Sequence, residues 1–107
     1  MEGSPVADVL IVDDYVDVCR AYVKLIGRLG YTVDCAYTAH DALAAIEASP
    51  PKLDAIPNVG AITLACALGY GDLRFEGKWR AGHPKLVKWL DEFAARVPAF
   101  EKTRVTA

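Results

Sequence analysis

The nine residues SPPKLDAIP, Ser49 to Pro57, set the strongest limit on what this chain folds into. Pro50, Pro51 and Pro57 fix their own φ near about −65°, carry no amide hydrogen and push each preceding residue toward extended backbone. Neither a helix nor a central sheet strand is expected to run through them. The sequence therefore divides into residues 1–48, a proline-rich junction at 49–58 and residues 59–107.

Ahead of the junction the pattern reads strand, helix, strand, helix. Val9-Leu10-Ile11-Val12 is a short β-branched run of the kind that forms a parallel strand covered on both faces, and it ends in the carboxylates of Asp13 and Asp14. From Val16 onward Cys19, Tyr22, Val23, Ile26 and Leu29 recur at helical spacing. Asp14 is the expected cap, Asp17 is favourably placed near the positive helix end, and Gly30 is the stop. Tyr31 to Ala36 fits a second strand, and Thr38 followed by Asp41 forms a capping pattern before Ala42, Leu43, Ala45 and Ile46. A crossover helix joining two strands makes them parallel.

This stretch, residues 6–46 and most closely Val9 to Ile46, resembles the opening segment of a bacterial response-regulator receiver domain. In that family the first strand ends in an acidic pair that helps hold a divalent ion, and Asp13 and Asp14 occupy the matching positions. The glycine usual before the second helix is replaced by His40. The resemblance implies weak Mg²⁺ binding at Asp13 and Asp14 and names Asp54 as the candidate phosphoacceptor. Phosphoryl transfer to an aspartate needs that residue beside an oxygen-ligated ion, with positive charge for the developing phosphoryl oxygens. Only Leu53 precedes Asp54 as an apolar residue, so the third strand that would carry an acceptor is nearly absent. No later segment offers the family's hydroxyl and lysine at strand ends.

Beyond the junction the patterns are helical. Thr63 is expected to cap a helix bearing Leu64, Ala65, Ala67, Leu68, Leu73 and Phe75, with a break near Gly69 and Gly71; Ala61 to Leu64 as a third strand is the alternative. His83 precedes Pro84 at a first helical position, and Leu86, Val87, Trp89, Leu90, Phe93 and Ala94 form a broad apolar stripe ending at Pro98. Trp89 is expected in a core or interface and His83 at a boundary; only Trp79 is an obvious candidate for independent stacking, and helix packing accounts for more of these residues. Residues 53–105 resemble the distal helical part of a bacterial glutathione transferase C-terminal domain. In that family the glutathione pocket and activating group come mainly from a thioredoxin-like domain, so the resemblance implies packing and association for these helices and no catalytic residue.

Charge and cysteine content narrow the remaining classes. The chain of 107 residues has a net charge of −2, with eight acidic and three basic side chains up to Pro51 and six acidic and nine basic ones after it. Neither nucleic acid nor a membrane is an expected partner. Three cysteines without metal-ligand spacing point to a reducing, cytoplasmic setting, and the first apolar run is too short for an export signal. The predicted fold is a helix-rich α/β mixture, a two-stranded parallel β-α-β-α unit with two or three further helices. The expected function is a noncatalytic hybrid or truncated chain acting by self-association or by binding a protein partner. Its alternatives are a residual phosphorelay receiver and a glutathione-transferase-like accessory subunit.

Overall fold

The computed structural model describes residues 7–104; residues 1–6 and 105–107, at the outer ends of the expected segments, lie outside it. The chain forms two compact units, residues 1–45 and 46–107. The boundary falls inside the helix Ala39–Ala48, whose last turn belongs to the second unit.

In the first unit, β1 (Val9–Val12) and β2 (Val33–Ala36) flank helix α1 (Val16–Gly27) and are followed by α2 (Ala39–Ala48). The strands pair in parallel, with Val9 opposite Val33 and Val12 opposite Ala36. Asp8 and Thr32 lock the start of this ladder. Asp8 donates its amide to Thr32 Oγ1, and Thr32 donates its amide to Asp8 Oδ2, each at 2.9 Å. β1 is less covered than its sequence suggests, since Val9, Leu10 and Ile11 are half-buried and Val12 is exposed. Two strands of four residues are too small a sheet to bury both faces.

Local capping follows the sequence at one helix and departs from it at another. Thr38 Oγ1 accepts the Asp41 amide at 3.0 Å, as the capping pattern requires. Asp14, the expected cap of α1, does not fill that position. Tyr15 is the N-cap residue, and Asp13 Oδ1 accepts the Tyr15 amide at 2.8 Å. The carboxylate one residue earlier reaches the amide two residues on, the local turn that aspartate side chains favour. Gly30 closes the end of α1 with φ of 91°, a conformation in which a Cβ is strained.

The second unit contains α3 (Val59–Arg74), a single 3-10 turn (Lys78–Arg80), α4 (Pro84–Arg96) and α5 (Pro98–Lys102). The alternative third strand at Ala61–Leu64 is excluded, because these residues are helical. The expected cap at Thr63 is also corrected: α3 begins a turn earlier, where Asn58 Oδ1 accepts the Ala61 amide at 2.9 Å. Thr63 lies inside the helix and donates its hydroxyl to the Val59 carbonyl at 2.7 Å. Nor does the helix break at Gly69 or Gly71. A Cβ on Gly71 would stand 2.9 Å from Trp79 Cδ1, so the glycine is where the indole lies against the helix backbone.

α4 follows its sequence closely. Pro84 opens it after His83, and Leu86, Trp89, Leu90 and Phe93 are buried. Each such side chain contributes about 1.5–3 kcal/mol on leaving water. Trp89 stacks on Phe93 at 5.6 Å, and Phe93 meets Phe100 edge-on at 5.4 Å.

The start of α4 has no side-chain cap of its own, and its first free amides find an acceptor 38 residues back. Glu47, in the last turn of α2, accepts Lys85 N at 3.0 Å through Oε2 and Leu86 N at 2.8 Å through Oε1. Pro84 carries no amide hydrogen, so one carboxylate satisfies the next two donors and adds negative charge at the positive helix end. Glu47→Ala is expected to lower the stability of this unit by about 1–2 kcal/mol. The measurement is a shift of the urea midpoint at unchanged slope, and an unshifted midpoint would show that water replaces the carboxylate without cost.

The junction is extended and irregular, as its prolines require, with no helix or strand from Ser49 to Asn58. It is tied down all the same. Trp89 Nε1 donates to the Pro51 carbonyl at 2.7 Å and Arg96 Nη1 to the Leu53 carbonyl at 3.1 Å. No described helix is long and apolar enough to cross a membrane.

Candidate functional site

The titratable groups that chemistry could use are largely committed to holding the fold. Asp13 stands at the end of β1, where its backbone amide continues the ladder to the Ala36 carbonyl and its carboxylate holds the turn into α1. Asp14 is exposed beside it. Asp54 is exposed in the irregular junction, belongs to the other compact unit and ends no strand. Among the described residues, no group of three or more His, Cys, Asp or Glu side chains comes together in a way that could hold a metal ion. Asp13 and Asp14 supply at most two carboxylates, one already accepting an amide, so a Mg²⁺ ion held there would take most of its octahedral shell from water.

The most highly connected carboxylate is Asp72, which the sequence reading left unassigned. Its Oδ1 accepts Trp79 Nε1 at 3.0 Å and Arg80 Nε at 2.9 Å. Its Oδ2 accepts Arg80 Nη2 at 2.7 Å and Arg104 Nη2 at 3.2 Å. Hydrogen bonding from Arg80 holds the Asp72 carboxyl below the usual carboxylate range, against the opposing effect of its burial. Four donors saturate the acceptor positions of this ionised group, leaving little basicity for proton transfer. Asp72 therefore fastens the 3-10 turn and Arg104 to α3.

Trp79 is drawn into the same cluster. The indole is buried against Gly71, its N–H is spent on Asp72, and the Arg80 guanidinium lies 5.0 Å from its ring. The candidacy of Trp79 for independent stacking is thus corrected. His83 stands at the start of α4, where its Nδ1 donates to the Trp79 carbonyl, a boundary position as the sequence indicates.

Cys19 carries no activated thiol. Burial pushes the Cys19 thiol up, with Cys35 adding to the shift, and Cys19 Sγ donates to the Asp13 carbonyl at 3.5 Å. Such a thiol is a poor nucleophile. Cys66 is exposed on α3.

A shallow groove lies between the Pro50–Leu53 segment and α4, with Lys85, Lys88 and Glu92 along it. The indole N–H at its floor is already bonded to Pro51. Its polar lining carries charges of both signs.

The conspicuous surface is apolar and lies in the first unit. Tyr22 and Leu25 on α1 are 48% and 57% exposed, Tyr15 at its N-cap and Leu29 just past its end are 70% and 71% exposed, and Val12, Tyr31 and Tyr37 are exposed around the strand ends. Sequence periodicity groups Tyr22 and Leu29 with Cys19, Val23 and Ile26, whereas Cys19 is buried and Tyr22, on α1, and Leu29, just past it, are exposed. The signal that would have found this is a second apolar stripe, more than one small sheet can cover. No known family model, curated protein or solved structure matches the chain.

Proposed function

We propose that the chain is a noncatalytic hybrid that works by associating with another protein surface. The observation that carries this reading is the imbalance between what the first unit buries and what it leaves in water. Among its described residues, the buried side chains are Cys19, Ala36 and Ala42, all small, while eight large apolar side chains are exposed. Each exposed one forgoes much of the stabilisation that burial brings, about 25 cal/mol per Å² of apolar surface. A patch of that kind on a small unit marks an interaction site.

The sheet supports the same reading. Among the described residues each four-residue strand has one neighbour, so the outer edge of each offers backbone groups to an incoming segment. Asp13, Asp72 and His83 are occupied by capping and packing bonds, which agrees with a role in contact rather than turnover.

The full chain, immobilised and passed through native lysate, is expected to retain a defined partner that rebinds from purified components, or else to show a solution mass above that of one chain. A strictly monomeric chain that retains nothing would sink the proposal.

A further inference from the structure

The association reading leaves the identity of the partner open, and α1 points to a second copy of this chain. Tyr15, Val18, Tyr22, Leu25 and Leu29 recur at alternating spacings of three and four residues, a seam two residues wide per heptad. Four of the five are exposed and Val18 is half-buried. A separate stripe, Cys19, Val23 and Ile26, is the one the unit covers, with Cys19 buried and the other two half-buried. One apolar face is enough for a helix packed on a single core. α1 has two; the outer one runs over Val18, Tyr22 and Leu25 within the helix, with Tyr15 at its N-cap and Leu29 just past its end.

The charges beside the seam are polarised. Asp14 and Asp17 stand at the amino-terminal end of α1, Lys24 and Arg28 at its carboxyl end. Two such helices laid antiparallel about Tyr22 bring the acidic end of each beside the basic end of the other, and their macrodipoles oppose favourably. Parallel packing would set acid against acid and base against base. A membrane surface fits less well, because the polar side of α1 mixes Asp17 with Arg20 and Lys24 instead of being uniformly basic.

Resting on the association reading, we propose that two copies of the chain pair through α1, antiparallel, with the tyrosine-leucine seam between them and Asp17 of each copy near Arg28 of the other. A single helix pair is smaller than a standard protein interface, so the dimer is weak and concentration-dependent.

Sedimentation equilibrium of the full chain, from micromolar to millimolar, tests this. The average mass is expected to rise toward that of two chains. Leu25→Glu, at an exposed position, should leave the circular dichroism and thermal midpoint in place while weakening dimerisation at least about tenfold, the equivalent of roughly 1.4 kcal/mol. Tyr22→Lys is the second seam variant, for use if the first perturbs folding. Arg28→Asp should also weaken the dimer, and adding Asp17→Arg should restore it, since only antiparallel packing pairs those two sites.

Wild-type protein that stays monomeric throughout the range overturns the self-pairing, whereas a different protein reconstituted on the chain would leave the association reading standing. Undiminished dimerisation of both seam variants likewise overturns α1 as the interface while preserving association. A double charge swap no better than Arg28→Asp alone overturns the antiparallel arrangement.

Discussion

Replacing Trp89 with alanine is expected to cost the second unit about 3–5 kcal/mol, the range for removing a large aromatic side chain from a core. Natural domains hold only about 5–15 kcal/mol in total, so much of this unit's stability goes with one side chain. Trp89 is buried, stacks on Phe93, and donates its indole N–H to the Pro51 carbonyl. Its loss opens a cavity between α4 and the junction and releases the segment that the indole N–H holds. Trp89→Phe separates the two contributions, since it keeps an aromatic ring but leaves Pro51 without its donor, at an expected cost of about 1–3 kcal/mol. Urea unfolding followed by far-ultraviolet circular dichroism reads both. A loss under about 1 kcal/mol for the alanine variant would show that the surrounding side chains close the space.

Asp72→Ala is expected to cost about 2–3 kcal/mol, because three side chains lose their common acceptor at once. The figure lies below that for a fully buried ion pair: Asp72 is 12% exposed, but Arg80 and Arg104 are 37% and 38% exposed and regain water. The same bonds give the unit a pH dependence of definite sign. With its folded-state pKa depressed, Asp72 contributes stability that is fully present above its unfolded value of about 3.9 and is lost as pH falls through the lower folded value. The difference in urea midpoint between wild type and Asp72→Asn should therefore be constant near neutrality and close on acidification below about pH 4. A difference that persists unchanged into strong acid would remove the carboxylate's charge from the explanation.

Several elements were legible from neighbouring residues. Val9–Val12 and Val33–Ala36 form strands around a crossover helix, Thr38 caps α2, Pro84 opens α4, and the Leu86–Phe93 stripe is buried. Each depends on periodicity or on a partner within one turn of chain. The start of α3 was misplaced because Thr63 and Asn58 are both acceptable cap residues and propensity does not choose between them. Gly71 looked like a helix breaker because its intrinsic cost is local, while its compensation, contact with Trp79, comes from eight residues away.

The candidate site was less legible for the same reason. The Asp13-Asp14 pair reads from sequence as the edge of a metal centre, yet chemistry there depends on a third carboxylate that the chain has to bring to it. Glu47 and Asp72, the carboxylates with the most structural consequence, carry no local motif. Their donors are Lys85 and Leu86 for one, and Trp79, Arg80 and Arg104 for the other.

By itself, the sequence determined the kinds of element, their order and the interruption at Pro50-Pro51, because proline stereochemistry and apolar period act over a few residues. Tertiary structure alone decided which carboxylates were spent on amides and guanidinium groups, and which of the two apolar stripes of α1 stayed in water. Those outcomes depend on surfaces meeting across tens of residues, where the competition between burial and hydrogen bonding is settled by packing.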